Sequence, residues 1–261
     1  MDIEQRQSTI LDMLRENGSV EVEGLARTFG VTTQTIRSDL RDLDTRGLLK
    51  RTHGGARRVE AVANHEYEER RRQKGAEKKE MGVLAASLIP NNCSVALNIG
   101  TSTERVAHAL GAHEGLVVLS NNINIINGLM GGKCRELILV GGTIRQSDGA
   151  IVGEDAVEFI SRYKVDFAVI GASALDLDGA VLDYDAREVS VARAILRNSR
   201  TKILVCDSSK FERTAPVRIC DVAELDVIVT DAPPPKSFLD AARVGEVTVL
   251  TVESQDVRHD G

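Results

Sequence analysis

Residues 33–41, TQTIRSDLR, gather side chains that can read DNA. If Ile36, Leu40 and Leu43 turn inward at i, i+4 and i+7, then Thr33, Gln34, Thr35, Arg37, Ser38 and Arg41 fall on the outer face of a helix or its flank. Glutamine and arginine can bond base edges bidentately, while threonine and serine suit phosphates or thymine methyl groups. A helix of this kind reads a groove only if another helix and a tight turn hold it. Residues 20–39 have that form, with Leu25, Ala26 and Phe29 on a preceding helix and Gly30-Val31 at the turn. Beyond Leu48-Leu49, the stretch KRTHGGARR reads as a small hairpin wing turning at Gly54-Gly55. Lys50, Arg51 and His53 would meet the DNA backbone or minor groove there.

A second set of residues punctuates the remainder of the chain. NIGTSTE, SNN (120–122), GGT (141–143), GAS (171–173) and DSSK (207–210) each follow a short apolar run. Their candidate binding residues are Asn121, Asn122, Gly141, Gly142, Gly171, Asp207 and Lys210, together with the loop at 100–103. In an open α/β sheet, ligands bind outside the carboxyl ends of strands. At Gly100, Thr101, Ser102 and Thr103, a glycine followed by hydroxyls opens a helix. Its free N–H groups and dipole could hold a phosphate, with Lys210 as a point charge.

The elements follow from hydrophobic spacing. Ile3, Ile10, Leu11 and Leu14 predict a first helix that stops at Asn17-Gly18, and Val20 and Val22 a brief extended stretch. Helices are then expected over Glu23–Phe29 and Thr32–Arg46, the latter capped by Thr32 or Thr33 and ended by Gly47. Further on, strands are expected at Ser94–Ile99, Leu116–Leu119, Leu137–Val140, Phe167–Ile170, Lys202–Cys206, Val227–Thr230 and Val247–Val252. Amphipathic segments at Glu104–Leu110, Ile123–Met130, Glu154–Ser161 and Glu188–Asn198 lie between them. Strands alternating with helices imply βαβ units, and continuous Val/Ile/Leu runs imply buried parallel strands. The expected architecture is α/β: a winged helix-turn-helix domain over residues 3–58, a charged linker over 59–75, and a doubly wound, mostly parallel domain over 76–261.

The 261 residues carry a net charge of −6, unevenly spread. Residues 1–58 hold ten Lys/Arg and nine Asp/Glu, so the remainder carries about −7. Between Thr45 and Val59 there are five cations, one histidine and no acid. A basic stretch on an acidic protein fits a DNA binder with an acidic partner domain. With 3% aromatic residues and no tryptophan, a recognition surface built on aromatic stacking is not expected. The polar N-terminus has no leader-like pattern, and no apolar run reaches the roughly 20 residues of a membrane span. Cys93, Cys134, Cys206 and Cys220 form no C-x-x-C pair and read as reduced, mostly buried thiols, which places the chain in a cytoplasm.

Other chemistries read poorly. There is no Walker A sequence, no G-x-G-x-x-G and no zinc-like spacing, so no cofactor or metal is expected. His108 and His113 lie off the i, i+4 spacing. The pairs Asp176/Asp178 and Asp183/Asp185 could serve an isomerase as base and acid but, around Gly179, read better as turn formers.

The run RQSTILDMLRENGSV, the stretch LARTFGVTTQTIRSDLRDLDTRGLLKRTHGGA and the residues 31–43 and 53–55 within it closely resemble the DeoR family of bacterial transcriptional repressors. The likeness continues through the C-terminal part. Many members carry two successive arginines where this chain has Arg37-Ser38, which bears on operator preference. The resemblance implies a C-terminal domain similar to ribose-5-phosphate isomerase that senses phosphorylated sugars or polyols. It makes 100–103 the phosphate loop, completed by Asp207 and Lys210, with Asn98 standing where many relatives have aspartate. Segments 149–167, Glu188-Val189 and 230–235 are most similar to repressors of glycerol-3-phosphate regulons, which makes glycerol-3-phosphate the expected effector. Double-stranded operator DNA and a second copy of the chain, as a dimer or tetramer, are the other expected partners. The competing readings are an isomerase-like enzyme with a DNA-binding appendage, since fold alone does not fix function, and a DNA binder without sequence preference.

Overall fold

The computed structural model describes residues 3–45, 48–57, 67 and 69–252. It divides into two compact units, Met1–Arg70 and Arg71–Gly261.

The N-terminal unit runs α1 (Ile3–Asn17), β1 (Ser19–Glu21), α2 (Val22–Phe29), α3 (Thr33–Thr45), β2 (Lys50–Thr52) and β3 (Gly55–Arg57), with strand order β1-β3-β2. Ile10, Leu14, Leu25, Ile36, Leu40, Leu43 and Leu49 fill its core. Ile3 does not join them and is 57% exposed. Val22 opens α2 and is not extended. That helix closes at Gly30, whose φ of 64° lets its N–H bond back to the Ala26 carbonyl. Thr32 supplies the cap of α3, its Oγ1 accepting from the Thr35 N–H at 3.1 Å. Gly47, the expected terminator, lies outside the described residues, as do Arg46 and Arg58.

The C-terminal unit centres on a seven-stranded sheet. Its strands are β4 (Ser94–Leu97), β5 (Val117–Ser120), β6 (Glu136–Leu139), β9 (Val165–Ile170), β12 (Ser199–Val205), β14 (Val227–Thr230) and β15 (Thr248–Thr251). The order is β15-β14-β12-β9-β4-β5-β6, and every adjacent pair is parallel. All seven correspond to the expected apolar runs. Helices cover both faces. Val95, Leu97, Val169, Ile203 and Val205 face one layer, with α4 (Gly75–Ser87), α5 (Thr101–Leu110) and α6 (Ile123–Leu129). Ala96, Ala168, Ile170 and Leu204 face the other, with α7 (Glu154–Ile160), α8 (Ala186–Arg197) and α9 (Lys236–Val244).

The winding starts at β4 and proceeds outward through β5 and β6, then returns to β9 on the other side of β4 and proceeds through β12, β14 and β15. The switch point of this doubly wound sheet therefore lies between the carboxyl ends of β4 and β9. Two smaller sheets were not expected. β7 (Ile144–Arg145) and β8 (Ala150–Ile151) form a hairpin, and β10 (Ala174–Leu175), β11 (Ala180–Asp183) and β13 (Val217–Asp221) form an antiparallel trio.

Lys74 is bonded within the C-terminal unit, and α4 begins at Gly75, so that unit takes in residues 71–75 that were expected to belong to the linker.

Candidate nucleic-acid interface and effector site

Each unit carries a candidate site. In the N-terminal unit, α3 is held by its apolar face and by a buried ion pair. Arg6 of α1 donates to Asp39 through Nε (2.6 Å to Oδ2) and Nη2 (3.1 Å to Oδ1), and Asp39 is 2% exposed. Gln7 adds a bond to Asp42 at 3.1 Å. The helix is thus fixed on one side, and Thr33, Gln34, Arg37, Ser38 and Arg41 are exposed on the other. Thr35 is half-buried, and its hydroxyl lies 2.9 Å from that of Thr32, so it serves the cap.

The wing is placed by β1. The turn falls at His53-Gly54, one residue earlier than expected, and Gly55 belongs to β3 opposite Glu21. A Cβ at Gly55 would lie 1.9 Å from the Val20 carbonyl oxygen, so only glycine lets β3 approach β1. Lys50, Arg51 and His53 are exposed along the wing. Arg37 and the wing residues Thr52, His53 and Gly54 line one cleft with residues 19–23. Arg37 of α3 and the wing therefore open onto one cleft, whose lining also carries Glu21, Glu23 and Arg57.

In the C-terminal unit, the expected residues gather at the carboxyl edge of the sheet, in unequal ways. Gly100, with φ 136°, opens α5, and its carbonyl accepts from the Glu104 N–H at 3.0 Å and the Thr103 Oγ1 at 2.7 Å. Thr103 thus braces the loop, with Ser102 buried beside it. Gly171 follows β9 and lies between the ends of β4 and β12, its Cβ position 3.9 Å from the carbonyl oxygens of Ile99 and Val205. The loops at Gly100 and Gly171 flank the switch point.

Asn98 and Asn121 follow neighbouring strands paired Leu97 with Ser120. Both are buried, and the Oδ1 of each has no hydrogen-bond partner. A buried acceptor left so costs about 1–3 kcal/mol, which a ligand donor would recover. Asn121 Nδ2 donates to the Ile151 carbonyl. Asn122 is fully committed: its Oδ1 caps α6 through the N–H groups of Asn124 and Ile125, and its Nδ2 donates to the Asp148 carbonyl. Gly141 and Gly142 follow the edge strand β6 and are exposed. Two inter-strand spacings, roughly 10 Å, separate β6 from β4, so the structure does not bring them to the switch point.

Asp207 and Lys210 lie at the end of β12, both buried. Asp207 caps a 3₁₀ turn (Ser208–Glu212), accepting from the N–H and hydroxyl of Ser209. Three charged residues missed in the sequence join them. Lys78 of α4 is 3% exposed, with Nζ 3.9 Å from Asp207 Oδ2. Lys74 Nζ donates to Asp231 Oδ2 (2.5 Å) and Ser208 Oγ (2.6 Å). Burial works against both charges of the Lys74–Asp231 pair. Their mutual hydrogen bond and field prevail, so the lysine is held above and the aspartate below its usual range. Arg145, on the β7–β8 hairpin, bonds Asp148 and Glu188, and burial pushes the Glu188 carboxyl up despite that arginine.

The carboxylates weighed for an isomerase are occupied locally. Asp178 accepts from Ala180 N–H in the β10–β11 turn, Asp183 from Ser173, and Asp185 caps α8. His108 is exposed, and His113 bonds the Ile89 carbonyl. All four cysteines are unpaired, and burial pushes the Cys206 and Cys220 thiols up to about 12. Among the described residues there is no metal-binding cluster and no helix long and apolar enough to cross a membrane.

A winged helix with an exposed reading face, followed by a doubly wound domain with polar groups at its switch point, defines a two-domain DNA-binding regulator. Residues 6–62 match the DeoR-like helix-turn-helix domain and residues 73–232 the DeoR C terminal sensor domain. This protein belongs to the DeoR family of transcriptional repressors. It is 40% identical to the glycerol-3-phosphate regulon repressor of Escherichia coli, over 90% of this chain and 93% of that one. The glycerol-3-phosphate regulon repressor of Haemophilus influenzae is 39% identical over 86% and 88%. The Escherichia coli repressor CsqR is 31% identical over 94% of each chain. Among solved structures, ribose 5-phosphate isomerase A from Methanocaldococcus jannaschii aligns with 53% of this chain at 13% identity and a TM-score of 0.39.

Proposed function

We propose that this protein represses a glycerol-3-phosphate regulon and leaves its operator when a phosphorylated polyol, glycerol-3-phosphate foremost, binds the C-terminal unit. The observation that carries the reading is the 40% identity to a glycerol-3-phosphate regulon repressor across 90% of the chain. The site chemistry agrees with such a ligand. A phosphate dianion needs several N–H and hydroxyl donors together with a cation, and the Gly100–Thr103 loop and Lys210 are of those kinds. The unpartnered oxygens of Asn98 and Asn121 are acceptors that polyol hydroxyls would satisfy.

On the DNA side, Gln34, Arg37, Ser38 and Arg41 would meet base edges or phosphates, with Thr33 at the helix start and Lys50, Arg51 and His53 following the backbone from the wing. Repression of a two-fold or repeated operator requires at least two copies, hence a dimer or tetramer. The experiment is a binding titration on the DNA upstream of the gene, at fixed salt, with and without a panel of phosphorylated metabolites. Operator affinity that falls with glycerol-3-phosphate, and not with inorganic phosphate or glycerol alone, supports the reading. Affinity that ignores the whole panel, or no preference for the upstream DNA over unrelated sequence, overturns it.

A further inference from the structure

The first residues of the C-terminal unit are pinned across the carboxyl edge of the sheet. Arg71 Nε lies 3.8 Å from Glu104 Oε2, in the first turn of α5. Gln73 accepts from Arg213 Nη2 at 3.4 Å, beyond the 3₁₀ turn that follows β12. Lys74 is bonded to Ser208 and Asp231, at the ends of β12 and β14. Lys78 pairs with Asp207. This segment is also the stretch of chain that continues directly from the DNA-binding unit.

Lys78 stands level with the phosphate loop. Helices α4 and α5 cross without room to spare, since a Cβ at Gly82 would lie 2.7 Å from the Arg105 carbonyl group. Both helices start at the carboxyl edge: α5 follows β4 there, and α4 is anchored there by Lys74 on Asp231. Lys78 precedes Gly82 by about one turn, and Thr101 precedes Arg105 by the same amount. At 3.9 Å the contact between Lys78 and Asp207 is an ion pair without a hydrogen bond. A phosphate oxygen held on the loop would compete with Asp207 for the same ammonium.

We propose that Lys78 is a second cation for the effector's phosphate, and that residues 71–78 are the element through which occupancy of that site is felt by the DNA-binding unit. The inference rests on the effector reading above. A ligand shifts an equilibrium only through differential affinity for its two states. Here those states are a segment latched on Asp207 and Asp231, and a segment drawn onto the bound phosphate. The segment is joined to the winged helix through the chain between residues 57 and 71, and by this proposal the exchange of one set of contacts for the other is what lowers operator affinity.

The test uses the full chain, a labelled upstream DNA fragment, and glycerol-3-phosphate as the probe. In the parent, saturating probe is expected to weaken DNA binding by about 5- to 150-fold. Lys78→Met should bind the probe about 10-fold or more weakly by calorimetry, the usual loss for one charge-assisted contact. Lys74→Gln should bind the probe yet release DNA far less than the parent does. In the parent, hydrogen exchange over residues 71–78 should change when probe is added, a readout that needs no variant to fold. Parent-like probe affinity in Lys78→Met, parent-like release in Lys74→Gln, or unchanged exchange in that segment each overturns the inference while leaving the effector reading standing. A parent that neither binds the probe nor releases DNA sinks the effector reading itself, and this inference with it.

Discussion

Arg6 and Asp39 are buried together, and neither tolerates loss of the other. Asp39→Ala would leave the guanidinium buried without the carboxylate that accepts two of its N–H groups. The expected loss is about 3–5 kcal/mol in the stability of the N-terminal unit, read by denaturant unfolding. A loss under about 1 kcal/mol would mean that water reaches the pair. The outward residues behave differently: Arg37→Ala should reduce preference for the operator by about 1–3 kcal/mol in competition assays. Arg51→Ala should weaken all sequences alike and flatten the salt dependence. Unchanged operator preference in Arg37→Ala would mean that another face of α3 reads the groove. A third residue gives a pH signature. Because the Asp231 pKa is held below its ordinary value, its stabilisation is present above the ordinary carboxylate range and fades as pH falls through the folded value. Asp231→Asn should therefore be less stable than the parent at neutral pH, with the gap closing in acid. A gap that stays constant from neutral pH into acid would refute the linkage. These partnerships were illegible in the sequence. A charged residue at a buried position reads as a solvated one until the fold supplies its counter-ion, which is why Lys74, Lys78 and Asp231 escaped notice while the loop at 100–103 did not.

The elements that carry the fold were legible wherever apolar residues follow one another without interruption. The five inner strands of the parallel sheet are largely buried on both faces and the edge strands β6 and β15 only partly, and Val/Ile/Leu runs announce all seven. Helix α4 was hidden because its buried side includes Lys78 and Gly82 beside Met81 and Ala85, which blurs the apolar stripe. The trio β10–β11–β13 was hidden because its strands are short and lie among turn-forming aspartates. Val217 and Ile219 on either side of exposed Arg218 are a short period-2 hint, and it breaks at Cys220, which is buried next to Ile219. The wing was legible as a hairpin, but its turn was misplaced by one residue. Nothing local distinguishes Gly54 from Gly55; the distinction is made by β1, which only the fold brings alongside. That distinction can be tested. With its Cβ position 1.9 Å from the Val20 carbonyl oxygen, Gly55→Ala must push β3 off β1. It should lower the melting temperature of the N-terminal unit and weaken DNA binding, although α3 keeps its sequence. Gly54→Ala, with open space at its Cβ position, should do much less. Equal melting temperatures for the two variants would show that the β1–β3 pairing does not hold the wing.

At the scale of the whole molecule, one winged helix is too little for a repressor. A single module of this kind buries about 600–1,000 Å² on DNA, and non-specific binding alone gives a Kd of about 10⁻⁴–10⁻⁶ M. Specific repression needs about 10⁻⁸–10⁻¹¹ M. Linking two reading heads closes that interval without new contacts, because the second head then binds at a high effective concentration. The seven-stranded unit would have to join the copies if, as proposed, the helix and wing of the N-terminal unit are taken up by DNA. The chain is therefore expected to sediment as a dimer or tetramer at micromolar concentration, with two chains or more on each operator. Destroying one half-site should weaken binding by far more than a factor of two, because the surviving head falls back on its own affinity. A monomer with and without DNA, or a half-site as good as the whole operator, would remove the need for assembly. It would also leave the wing and α3 to account for the full affinity by themselves.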